Sequence, residues 1–216
     1  MVYNDKIYPA GTTTSLLKAI AQISPTTQSA QPLRTIGASN HSELKDPVMN
    51  AVVALTNETV RAGYGVLVFS SSRAGCESDA LLISRTLPTF QEADLGVQQK
   101  RADLLSDLRN LSTGLDPKLE QTIPAGVAFH HAGLTTEERE LVANAYDSGV
   151  LKVCVATCSL AAGINLPARR VILHNARMGR DLVGPAMLRQ MRGMSNHRLL
   201  IPPCDLLCPR RMSHGR

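Results

Sequence analysis

Apolar positions come in two alternating patterns along residues 47–174. After Pro47, Val48, Val52, Leu55 and Thr59 recur at helical spacing, and Gly63 offers a stop, so a helix is predicted there. Val66-Leu67-Val68-Phe69 follows as a short continuous apolar run, as expected of a strand buried on both faces. Ser70 to Arg73 reads as a loop, and residues 75–87 as a helix carrying Cys76, Ala80, Leu81 and Ile83. A further helix is predicted over 91–112, with Leu104, Leu105, Leu108 and Leu111 on one side. Val127-Ala128-Phe129-His130 is the second strand. Thr135 and Glu138 fit a capping box for the next helix, whose buried stripe is Leu141, Val142, Ala145 and Tyr146 and whose stop is Gly149. Residues 151–156 and 171–174 complete a set of four strands.

Strands alternating with helices imply an α/β fold: a parallel sheet with right-handed crossovers and helices on both faces. Such sheets bind ligands beyond the carboxyl ends of their strands. Three polar, Gly-containing segments fall there: Ser70 to Arg73, His131 to Gly133, and Thr157 to Asn165. Flanking this lobe (47–193), residues 1–46 read as a lead-in arm and linker, because 11–46 are rich in Thr, Ser, Gln and Pro. Residues 194–216, with Pro202-Pro203 and no helical or strand period, read as a divergent, disordered tail.

Charge sharpens the picture. Residues 169–216 hold ten Arg, no Lys and two Asp (+8), while residues 1–168 hold 13 basic and 16 acidic groups (−3), giving the net +5. An Arg-rich, Lys-free end suits phosphate contact, because guanidinium forks bind phosphate oxygens in pairs, though a solvated tail with an Arg bias is an equal reading of 194–216. No apolar run approaches the 18 residues of a membrane span, and no secretory signal is evident. The five cysteines include Cys154-x-x-x-Cys158 and Cys204-x-x-x-Cys208. Because Cys154 lies in a strand-like run and the pairs are far apart, buried structural thiols are expected rather than a metal site.

Three segments carry a family resemblance. Phe129-His130-His131-Ala132-Gly133-Leu134-Thr135-Thr136-Glu137-Glu138-Arg139 resembles the element preceding motif V in superfamily 2 helicases. Ala156-Thr157-Cys158-Ser159-Leu160-Ala161-Ala162-Gly163-Ile164-Asn165-Leu166-Pro167-Ala168-Arg169-Arg170-Val171-Ile172 resembles motif V of the DExH-type group that contains the DNA polymerase theta helicase domain. Val66 to Arg73 is similar to motif IV. The resemblance implies the second RecA-like lobe of an ATP-dependent DNA helicase acting in repair, and a nuclear location. It implies single-stranded DNA as partner, with RNA as the alternative, a first RecA-like lobe in cis or trans, and ATP with magnesium in the intact enzyme. Ser70, Arg73, His131, Gly133, Thr157 and Asn165 are the expected strand contacts, and Gly163, Asn165 and Gln190 lie nearest the nucleotide. A different class of reading is a non-catalytic module that binds nucleic acid or a helicase.

The resemblance breaks at Gln190-Met191-Arg192-Gly193, which matches the start of motif VI. The family continues with Arg-Ala-Gly-Arg, whereas Met194-Ser195-Asn196-His197 stands here and Arg198 is displaced by one position. This departure predicts a chain cut off inside motif VI. Loss of an arginine that stabilises a transferring phosphoryl group costs about 10³–10⁵ in rate. No G-x-x-x-x-G-K-[ST] run occurs among the 216 residues, and no Asp-Glu pair follows an apolar strand to hold magnesium. No catalytic or metal-ligating residue is therefore assigned, and the chain alone is expected neither to hydrolyse ATP nor to bind it tightly.

Overall fold

The computed structural model describes residues 36–87, 95–157, 166, 168–174 and 186, together with the paired strand segments named below. Two small antiparallel groups stand apart by pairing: β1 (Val2–Tyr3), β2 (Lys6–Ile7) and β3 (Arg34–Thr35) form one, with order β1-β2-β3. The main body begins with α1 (Pro47–Arg61), capped by Asp46, whose carboxylate accepts the Val48 amide at 3.0 Å. Pro47 occupies the first turn, where its missing N–H costs nothing.

The central sheet contains β4 (Val66–Ser70), β5 (Val127–His130), β6 (Val153–Thr157) and β7 (Arg170–Leu173), all parallel, in the order β7-β4-β6-β5. The antiparallel pair β8 (Arg177–Met178) and β9 (Asp181–Leu182) follows. Leu206–Leu207 form β10, which adds to the β7 edge in parallel register, Leu206 opposite Val171. The rest of the expected tail lies outside the described residues.

Four helices accompany the sheet after α1: α2 (Arg73–Thr86), α3 (Leu95–Arg109), α4 (Pro117–Thr122) and α5 (Thr136–Asp147). The chain moves from β4 to the far strand β5 and returns to β6, which lies between them. These crossovers run in opposite directions, so right-handed connections put α2 and α5 on opposite faces. α2 and α4 pack together over β5, while α3 contacts α5. The core is mainly aliphatic: Val66, Leu67, Val68, Val127, Ala128, Val153, Val155, Val171 and Ile172 are fully buried, with the aromatic Phe129 among them. Among the described residues no helix is long and apolar enough to cross a membrane.

The periodicities located the four strands of the central sheet and every helix of that body except α4, with differences at the ends. α2 begins at Arg73 rather than 75, because Ser72 is the cap and its hydroxyl accepts the Gly75 amide at 3.0 Å. Arg73 is therefore the first helical residue, not a loop residue. β6 starts at Val153 because the Leu151 amide is already bonded to Ala145 O, closing the turn after α5. α4 had no counterpart in the apolar pattern; its cap Asp116, accepting from Lys118 and Leu119, and Pro117 at its first turn are the signals that mark it. The capping box of α5 forms as expected, and Gly149 takes φ 76°.

Candidate nucleic-acid interface

Parallel register decides which residues meet. Ser70 at the end of β4 lies opposite Thr157 at the end of β6, and His130 at the end of β5 lies opposite Ala156. The segments after β4 and β5 and the first residue of the segment after β6 therefore meet at one end of the sheet. Arg73, on the first turn of α2, projects toward the loop after β5, where its Cδ would stand 3.5 Å from a Cβ built on Gly133. Ser70, Arg73, His131, Gly133 and Thr157 are thus brought together. Gly163, Asn165 and Gln190, the expected strand and nucleotide contacts, lie outside the described residues.

Burial divides this group. Arg73, Ala132 and Gly133 are exposed, together with Ser72 at the helix cap. Ser70, His131 and Thr157 are 1%, 3% and 6% exposed, so their side chains are packing and ordering groups first. Ser70 packs directly against α2: a Cβ on Gly75 would come within 2.5 Å of its Oγ, so the helix approaches the strand as closely as it does only because residue 75 has no side chain.

Both histidines at the end of β5 are buried. His130 is 5% exposed, its Nδ1 has no hydrogen-bond partner, and burial holds its pKa down to about 4, so it is neutral. His131 stacks on Phe129 with ring centroids 5.1 Å apart. Its Nδ1 accepts the Gly133 amide at 3.1 Å, which requires that nitrogen to be unprotonated. The proton of the neutral ring is then on Nε2, 3.0 Å from Glu77 Oε1. The Leu134 amide closes the turn onto His131 O at 3.1 Å.

Glu77, on α2, is the residue that sequence reasoning missed. Its other oxygen pairs with Lys118 of α4. Burial alone would raise its pKa, but Lys118 and then His131 more than offset that and hold the carboxyl below its ordinary value. Two positions further along α2, Asp79 Oδ2 meets His174 Nδ1 at 2.7 Å, and the His174 amide is bonded to Phe69 O. α2 thereby reaches the loops beyond both β5 and β7. These pairs join residues 54 and 95 positions apart, so no local motif announces them.

Among the described residues no group of three or more His, Cys, Asp or Glu side chains could hold a metal ion. Cys154 is a free thiol within β6, which burial pushes up to about 12, where it is protonated and unreactive. What the edge offers is an exposed guanidinium and a glycine turn with accessible backbone. Beside them lies the first turn of a 14-residue helix, whose dipole favours an anion.

Comparison with known proteins agrees with this geometry. Residues 99–194 match the helicase conserved C-terminal domain. Human helicase POLQ-like is 40% identical over 143 residues, 66% of this chain and 13% of that protein. Mouse DNA polymerase theta is 33% identical over 159 residues, 68% of this chain and 6% of that protein. The ATP-dependent DNA helicase Hel308 of Methanocella arvoryzae is 40% identical over 126 residues, 57% of this chain and 17% of that protein. The chain therefore spans less than a fifth of the length of these relatives.

Proposed function

From the premise that this chain resembles the second RecA-like lobe of the polymerase theta and Hel308 helicase group, we propose that it is a motor lobe that grips single-stranded DNA. The supporting observation is the convergence of Arg73, the Ala132-Gly133 turn and the α2 cap at the carboxyl ends of β4 and β5, the two strands that flank β6. Arg73 meets a phosphate, and backbone at 132–133 lies against the sugar-phosphate chain. Ser70, His131 and Thr157 shape that surface from beneath, and Asn165 is a further strand contact in this proposal. Contacts of this kind read backbone rather than bases, so binding has little sequence preference and falls steeply with salt.

ATP and magnesium would lie between this lobe and a first lobe, with Gly163, Asn165 and Gln190 on this side. The phosphate-cradling loop and the magnesium carboxylates must come from that first lobe, in cis or trans, so the 216 residues by themselves do not turn over ATP. Acting with it, closure of the two lobes would move the strand; a role in DNA repair and a nuclear location follow from the kinship with polymerase theta.

The test is fluorescence anisotropy of a labelled oligothymidylate titrated with the chain across a range of salt. Each phosphate neutralised on a single strand contributes about −0.7 to the log–log slope. Arg73→Ala should flatten that slope by about 0.7. Absence of binding at low salt would refute the grip. Tighter binding of a matched RNA would replace DNA with RNA as the substrate, and binding without turnover after adding a first lobe would favour a non-catalytic module.

A further inference from the structure

The turn that carries Ala132 and Gly133 is held by a chain of contacts that begins on α2. Glu77 Oε1 takes the proton-bearing Nε2 of His131, and this fixes the tautomer in which Nδ1 is a bare acceptor. Only that tautomer can receive the Gly133 amide. The fit is close: a Cβ at residue 133 would stand 2.9 Å from His131 Cε1 and 3.0 Å from Nδ1. Stacking on Phe129 prevents the ring from swinging away. Lys118 keeps Glu77 ionised and turned toward the ring from its other side.

We propose that Glu77 is a positioning residue for strand binding: by fixing the tautomer of the buried His131 it holds the Ala132-Gly133 turn in the shape that receives the DNA backbone. This inference rests on the nucleic-acid reading above. It has an unusual sign. Glu77 is an anion close to a surface that accepts a polyanion, so electrostatics alone says that removing its charge tightens binding. Positioning says the opposite when the acceptor oxygen goes too. Glu77→Gln and Glu77→Ala remove the same charge, but only the alanine removes the acceptor for Nε2–H.

The experiment compares wild type, E77Q and E77A in the full chain, by oligothymidylate anisotropy and by ¹⁵N–¹H correlation of the His131 ring. E77Q is expected to bind as tightly as wild type or more tightly, with the Nε2–H signature retained. E77A is expected to bind about tenfold more weakly, the effect of losing one charge-assisted hydrogen bond, with that signature lost and the Gly133 amide exchanging faster. If E77A does not fold, Glu77→Met replaces it, since it fills similar volume without an acceptor. Equal affinity in E77A and E77Q overturns the proposal, and so does weakened binding with an unaltered ring signature. If wild type itself does not bind the oligonucleotide, the nucleic-acid reading falls. The hold of Glu77 on the turn is then decided by the ring signature and Gly133 exchange alone.

Discussion

Gly126 and Arg101 form a contact whose energetics can be separated by mutation. Gly126 takes φ 76°, between α4 and β5, and its carbonyl accepts the amides of Lys152 and Val153 at 2.9 and 3.1 Å. The guanidinium of Arg101, from α3, lies directly over its Cα, donating through Nε to Val150 O at 3.0 Å and through Nη1 to Pro124 O at 2.9 Å. A Cβ on residue 126 would stand 2.8 Å from Arg101 Cζ. Gly126→Ala therefore carries two costs. The left-handed backbone costs about 1–2 kcal/mol for an L-residue. Displacing the guanidinium forfeits two hydrogen bonds at about 1 kcal/mol each. The sum is about 3–4 kcal/mol. Arg101→Ala alone should cost about 2 kcal/mol, and adding Gly126→Ala to it only the backbone part, about 1–2 kcal/mol more. The double-mutant cycle, read from urea unfolding at neutral pH, should show about 2 kcal/mol of coupling. Additive effects would refute the claim that the methyl group acts by expelling Arg101. A loss below about 0.5 kcal/mol for Gly126→Ala would refute the backbone argument as well.

Other expectations follow from single contacts. Thr135→Ala removes the hydroxyl that accepts the Glu138 amide at 3.2 Å and should lower stability by about 1 kcal/mol, measured by the urea midpoint. His130 is neutral in the fold with a pKa near 4 against 6.5 when exposed, so between these values the unfolded chain holds more protons. Stability then rises with pH through that window and is lost as pH falls from 6.5 toward 4. At pH 5 the loss is at most about 2 kcal/mol, and His130→Gln should flatten the dependence of the unfolding midpoint between pH 7.5 and 5. An unchanged profile would count against His130 as its source. Gly133→Ala forces the His131 ring back from the turn and should weaken oligonucleotide binding, with a stability cost of about 1–3 kcal/mol from overpacking.

Much of the fold was legible because its cues are local. Continuous apolar runs at Val66 to Phe69 and Val127 to Phe129 announce strands covered on both faces, and Thr135 with Glu138 announces a helix start from two residues three apart. α4 escaped because at six residues it is too short for a periodic stripe, although its Asp-Pro start was readable. The strand-end segments were also legible, since any parallel sheet presents them at one edge. Tertiary structure alone decided strand order, and with it that β6 lies between β4 and β5, so that Ser70 meets Thr157. It decided that both histidines of the His130-His131 pair are buried, a matter of what packs over them rather than of residue type. The pairing of Glu77 with His131, and of Asp79 with His174, was likewise invisible in the chain. Ionic and hydrogen-bonded partners are chosen by proximity in space, and sequence patterns carry only the periodicity of one element at a time.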